Sequence, residues 1–128
     1  MDKNKIYKCN ICGNVIQVIE GKPVPVVCCG QDMIKLSDKF EGEGSNKHIP
    51  ILERKEDLVF VKVGAIEHPM NEEHYIQLIQ LYDGNNLIGE TRLNYFDKPE
   101  ACFYVKNVSS LSARALCNLH GNWRSDLK

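Results

Sequence analysis

Cys117-Asn118-Leu119-His120-Gly121 places a thiol and an imidazole three residues apart and closes them with a glycine. That spacing lets both side chains curl back to one point, and the glycine permits the tight turn, so the pair suits a shared metal ion. A Cys-x2-His pair by itself is a weak signal. It gains weight because the only other histidines, His48, His68 and His74, lie upstream with no partner of their own. Convergence of all four imidazoles with the Cys117 thiolate would exceed what tetrahedral zinc uses. It would define a five-coordinate ion with a sixth position free, which suits iron or another redox-active metal. A ferrous ion and one thiolate leave a net positive site, which favours a small anion. A thiolate opposite the open position pushes electron density onto whatever binds there.

A second set of candidate ligands stands near the start. Cys9-x2-Cys12 is followed, with fifteen residues between, by the adjacent pair Cys28-Cys29. Four thiolates suit a tetrahedral site, and both zinc and iron fit it. Ribbons that bind zinc repeat the two-residue spacer, so the adjacent second pair is unusual. It opens up the sulfur–metal–sulfur angles. A disulfide framework is the competing reading. Clustered cysteines in a reducing compartment are more often metal ligands, and adjacency makes a simple pairing awkward. Cys102 has no near partner and is read as a small buried apolar residue.

The elements that must position these residues fall into two groups. Residues 1–37 form a compact cysteine domain with short strands at Ile6-Tyr7-Lys8 and Val15 to Ile19, a turn at Glu20-Gly21-Lys22-Pro23, and Val24 to Val27 leading into Cys28. Such a unit is too small to hold itself together by apolar burial, so a bound ion must supply much of its folding free energy. Residues 38–46, charged and glycine-rich, read as a linker. Residues 47–128 then change pattern. Ile49 to Leu52, Leu58 to Val63, His74 to Tyr82, Leu87 to Leu93, Ala101 to Val105 and a last strand at Ser112 to Leu116 are rich in β-branched and aromatic residues. Turn-forming segments separate them, Asp83-Gly84-Asn85-Asn86 among them. This pattern predicts an all-β sandwich. His48, the pair bracketing the loop from His68 to His74, Cys117 and His120 all fall at strand ends or in loops, where a rigid scaffold presents functional groups.

Composition limits the rest. The formal net charge is −1 over 128 residues, with both signs interspersed, so no basic face for nucleic acid is evident. No apolar run approaches the ~20 residues that span a bilayer. The first residues run into Ile6-Tyr7-Lys8-Cys9 without a signal-like apolar core, which predicts a cytoplasmic protein.

Taken together, the two cysteine sets and the order of the histidines resemble desulfoferrodoxin, the two-iron class of superoxide reductase, over essentially the whole chain. The residues that carry the resemblance are Cys9-x2-Cys12 with Cys28-Cys29, Lys47-His48-x-Pro50, His68-Pro69-Met70, His74-Tyr75-Ile76-Gln77 and Cys117-Asn118-x-His120-Gly121. The resemblance implies a desulforedoxin-like domain whose four cysteines hold a rubredoxin-like iron, followed by an immunoglobulin-like β-sandwich, assembled as a homodimer. It implies two iron ions per chain, with His48, His68, His74 and His120 as equatorial ligands of the second and Cys117 as its axial ligand. The implied reaction is one-electron reduction of superoxide to hydrogen peroxide, consuming two protons and releasing no dioxygen. An external donor such as rubredoxin restores the electron. Lys47 matches a family lysine that attracts superoxide and holds a water for proton delivery. The family usually has a glutamate just before that lysine, closing onto the ferric iron. Asn46 stands there instead, so the ferric resting state should differ and bind small exogenous anions more readily.

Two other functions remain open on sequence: an electron carrier using only the four-thiolate iron, and a zinc-stabilised binding module. A carrier gains nothing from an open coordination position beside a lysine. The module is not supported by any aromatic or basic recognition strip.

Overall fold

The computed structural model describes residues 4–106, 108 and 110–127. The chain divides after Ser37 into two compact units.

The first unit contains a three-stranded antiparallel sheet in the order β2-β1-β5, made of β1 (Ile6–Lys8), β2 (Val15–Gln17) and β5 (Ile34–Leu36), and a two-stranded ribbon of β3 (Val27–Cys28) and β4 (Gln31–Asp32). Ile6, Cys9 and Met33 are its buried apolar residues, while Ile11, Ile19, Val24, Val27 and Ile34 are exposed. So little burial cannot offset the entropy of ordering such a segment, in line with dependence on a metal.

The second unit contains two sheets. The larger has the order β10-β9-β12-β13-β6, from β6 (Asp38–Lys39), β9 (Ile76–Asp83), β10 (Asn86–Arg92), β12 (Leu111–Cys117) and β13 (Gly121–Asp126). The smaller has the order β11-β8-β7, from β7 (Pro50–Lys55), β8 (Leu58–Val63) and β11 (Glu100–Tyr104). Val59, Val61 and Val63 of β8 meet Ile79, Leu81, Ala113 and Ala115 of the larger sheet in one core. In β8 alternate residues are buried, the period-two pattern of a half-buried strand. In β12 every residue is buried, as in a central strand covered on both faces. Gly89 of β10 serves the packing directly, because a Cβ there would lie 2.6 Å from the Phe103 ring of β11. Asn86 pairs with Asp83 across a two-residue turn in which Gly84 takes φ 59°.

Three sequence expectations need correction. Residues 38–46 are not a free linker. Asp38–Lys39 pairs in parallel with β13, and Ser45–His48 is a four-residue helix, α1. Such a two-residue strand has no periodicity to betray it. The last strand is β13, beyond Leu116, because the metal-type turn at residues 118–120 is itself a hairpin that returns the chain along β12. Cys102 is exposed, not buried. In β11 the parity of the pleat turns Ala101 and Phe103 toward the core, leaving Cys102 on the outer face.

Candidate metal centres

In the first unit the knuckle and the ribbon deliver four sulfurs to one point. The Cys9 carbonyl accepts from the Gly13 N–H at 3.0 Å, and Gly13 takes φ 79°, so the chain reverses just past the second thiol. The Cys12 N–H points at Cys9 Sγ (3.5 Å), a contact that favours the Cys9 thiolate, and the Asn14 N–H points at Cys12 Sγ (3.4 Å). The adjacent cysteines are explained by the ribbon. Val27 pairs with Asp32 and Cys28 with Gln31, which leaves Cys29-Gly30 as a two-residue turn. Both turn residues have positive φ, 54° and 77°, as a primed hairpin turn requires. Cys28 therefore approaches from a strand end and Cys29 from the turn. Sulfur–sulfur distances of 3.7 Å (Cys12–Cys28) and 3.9 Å (Cys28–Cys29) bracket the ~3.8 Å edge of a tetrahedron with ~2.3 Å metal–sulfur bonds. They are far too long for a disulfide, whose sulfurs sit ~2.05 Å apart. Backbone N–H groups of Cys12 and Ile11 lower Cys9 to about 6, whereas Cys29 is raised to about 12 by hydrogen bonding with Cys12 and its neighbours.

The second unit gathers the histidines. Adjacent ring centroids lie 4.6 Å (His48–His68), 4.6 Å (His68–His74), 4.9 Å (His74–His120) and 4.9 Å (His120–His48) apart. Neighbouring planes are close to perpendicular, and the His48–His74 diagonal is 6.1 Å. The four rings thus form a square. Cys117 is buried beside it, with Sγ 3.7 Å from His120 Nδ1, and the ligand atoms of His48, His74, Cys117 and His120 all lie within 4.8 Å of one another.

The hydrogen bonds of the rings show what the square accommodates. His48 Nδ1 lies 2.8 Å from the Gly44 carbonyl and His68 Nδ1 lies 2.7 Å from that of Pro69. A carbonyl can only accept, so both Nδ1 atoms carry hydrogen and both Nε2 atoms present lone pairs. Those two lone pairs face each other at 3.1 Å. A metal ion between them makes that approach favourable, and 3.1 Å is close to the ~3.0 Å expected for neighbouring imidazoles on one ion with ~2.1 Å bonds. His74 Nε2, buried with no hydrogen-bond partner, is an orphan of the kind a metal would satisfy. Burial holds His48, His68 and His74 below the usual histidine range, His68 down to about 4, so the rings are neutral donors at neutral pH.

Sequence-distant elements place these groups. Helix α1 carries His48, and its close seat on Gly64 leaves no room for a Cβ, which would lie 2.8 Å from the Lys47 carbonyl carbon. A register shift in the β9–β12 ladder pairs Leu116 with Leu78 but Cys117 with Ile76, leaving Gln77 as the extra residue. That bulge switches the parity of β9: Ile79 and Leu81 face the core on one side of it and Ile76 on the other. His74, two residues before Ile76, is thereby brought to the side of Cys117. Asn118 then ties the two segments, its Oδ1 accepting from the Tyr75 N–H (3.0 Å) and its Nδ2 donating to the Glu73 carbonyl (2.9 Å). Trp123 stacks on His48 at 5.0 Å and donates Nε1–H to the His120 carbonyl at 3.1 Å. A cleft of about 320 Å³ opens beside the square, lined by Lys39, Glu43, Gly44, His48, His120 and Trp123. Lys47 and Asn46 are exposed on α1, where the Asn46 carbonyl accepts from the Ile66 N–H. Sequence reasoning quoted Asn118 without a role and passed over Lys39, a single lysine in a charged stretch.

An antiparallel sandwich that gathers His48, His74, His120 and Cys117 into one possible metal site, with the His68 ring beside it, preceded by a unit with four converging cysteines, defines a two-site metalloprotein of the superoxide reductase type of fold. Its sequence relatives agree. The Desulfoferrodoxin family model matches residues 40–126, and that for the desulfoferrodoxin N-terminal domain matches residues 1–36. The desulfoferrodoxin homolog of Archaeoglobus fulgidus is 42% identical over 94% of this chain and 95% of its own length. The crystal structure of the superoxide reductase from Treponema pallidum superposes with a TM-score of 0.76 at 26% identity, covering 94% of this chain and 95% of that one. The one-iron superoxide reductase from Giardia intestinalis has a TM-score of 0.59 at 32% identity, covering 65% of this chain and 98% of that one. The chain belongs to the desulfoferrodoxin family, and its two ligand clusters are its two iron sites.

Proposed function

We propose that this chain is a superoxide reductase, converting superoxide, one electron and two protons to hydrogen peroxide without forming dioxygen. The observation that carries this reading is the pair of Nε2 lone pairs facing each other at 3.1 Å inside a square of four imidazoles with a buried thiol beside it. His48, His68, His74, His120 and Cys117 would hold the second iron. Cys9, Cys12, Cys28 and Cys29 are assigned as ligands of the four-thiolate iron. Iron held there would supply the one-electron chemistry that superoxide reduction needs.

The protein's own groups do the rest. Neutral rings leave the charge balance to one thiolate, so the centre keeps a net positive charge toward an anion. Lys47, exposed next to His48, adds a local positive field and can hold the water from which a proton is taken. Asn46 offers an uncharged amide where the family resemblance implies a carboxylate, so small exogenous anions would bind the ferric protein more readily.

Rubredoxin or a similar small redox protein is the proposed donor, and the four-thiolate iron a one-electron centre in its own right. A homodimer is supported by the apolar side chains the first unit exposes, Ile19 at 85% and Val24 at 67% among them. Six free thiols suit a reducing cytoplasm, where the activity would remove superoxide under oxidative stress. None of the described helices is long and apolar enough to cross a membrane.

Rapid mixing with superoxide tests the activity. Wild type should yield peroxide without dioxygen. Cys117→Ser should retain the four-thiolate absorption, lose the thiolate-to-iron band of the second site, and fall to the uncatalysed background. Dioxygen released with peroxide in dismutase proportions would contradict the reading.

A further inference from the structure

The cleft beside the histidine square is lined by Lys39. Lys39 Nζ donates to the His120 carbonyl at 3.0 Å and lies 5.0 Å from the centroid of the Trp123 ring. Its backbone is held too, since Lys39 pairs with Trp123 in the parallel β6–β13 contact, and the neighbouring Asp38 carboxylate meets Arg114 and Arg124. Lysine ammonium groups on open surfaces are mobile, and their field is averaged over many rotamers. This one is fixed at three points: strand, carbonyl and ring. An ammonium has three N–H donors, and the His120 oxygen takes one, so an anion entering the cleft meets a positioned charge with donor capacity.

We infer that Lys39 is a second anion-steering residue of this centre, holding a fixed positive charge in the cleft lined by His48 and His120 and selecting for small anions there. The inference rests on the superoxide reductase reading for its natural anion, but the cleft's preference is measurable without turnover.

The probe is azide, titrated into the ferric holoprotein and followed by its absorption band. Lys39→Met keeps the aliphatic stem over Trp123 and removes the charge; Lys39→Arg keeps the charge. At low ionic strength Lys39→Met should bind azide about 3- to 10-fold more weakly, with the deficit shrinking toward ~1 M salt, where charges are screened within ~3 Å. Lys39→Arg should bind as wild type does. Should Lys39→Met lose iron, Lys39→Gln, which retains a donor for the His120 oxygen, takes its place in the comparison. Unchanged azide affinity at low salt, or a deficit that salt does not reduce, would overturn the inference, the second outcome marking Lys39 as a structural pin of the turn. A wild type that made no peroxide yet showed the Lys39 dependence would refute the activity and leave this role standing.

Discussion

At the scale of single residues, the second centre depends on tautomers. Gly44 and Pro69 carbonyls take the Nδ1 hydrogens of His48 and His68, which aims both Nε2 lone pairs inward before any ion arrives. Burial completes the arrangement by penalising the imidazolium form. The same burial makes the metal-free unit acid-sensitive, and the direction follows from proton uptake. His68 falls from 6.5 to about 4 on folding, so between those values the unfolded chain binds more protons than the folded one. Stability is unaffected above the upper value and lost as pH drops through the window. Thermal unfolding of the metal-free protein should show a melting temperature that declines from pH 6.5 toward pH 4, and His68→Gln should flatten part of that decline. A melting temperature independent of pH across that range would count against the neutral, buried ring.

At the scale of elements, the square is assembled by contacts between segments that share no local pattern. Helix α1 is only four residues long, too short to be stable alone, and it stays in place because Gly64 lets its backbone approach so closely. A methyl group at Gly64 would sit 2.8 Å from the Lys47 carbonyl carbon and 2.9 Å from the Asn46 oxygen, both backbone atoms that cannot rotate away. Gly64→Ala should therefore cost about 1–3 kcal/mol, as overpacking does, and push α1 away from the site. The expected signature is lowered iron content at the histidine centre with the four-thiolate absorption intact, measured by metal analysis and visible spectroscopy. Full iron at both sites would show that α1 is not set by this contact. The bulge at Gln77 belongs to the same scale. Without it, His74 and Cys117 would leave the sheet on opposite faces.

At the scale of the molecule, the two units are held together by different physics. The second has a valine-rich core spanning two sheets. The first buries only a few side chains and relies on its four thiolates. Chelation should accordingly unfold residues 4–37 while the sandwich keeps its strands. Amide exchange would show this as rapid exchange in β1, β2 and β5 with protection retained in β8, β9 and β12. Equal loss of protection in both units would mean that the sandwich also needs its metal to fold.

Much of this was legible in the sequence because ligand chemistry and strand periodicity are local properties. The Cys-x2-Cys and Cys-Cys sets, the four histidines and the alternation of Leu58 to Val63 are present whatever the chain does elsewhere. Family resemblance added the order in which those residues meet. What the sequence could not disclose depends on long-range pairing. The strand Asp38–Lys39 exists only because β13 offers it an edge. The exposure of Cys102 follows from the parity of β11, and the alignment of His74 with Cys117 follows from one unpaired residue in a ladder. Lys39 becomes part of the cleft only when residues 39 and 120, far apart in the chain, come within hydrogen-bonding distance. Residue types determined which metals the protein can hold. Tertiary structure decided which charges surround the open side of the second one, since a charge acts through distance in space and the sequence records only distance along the chain.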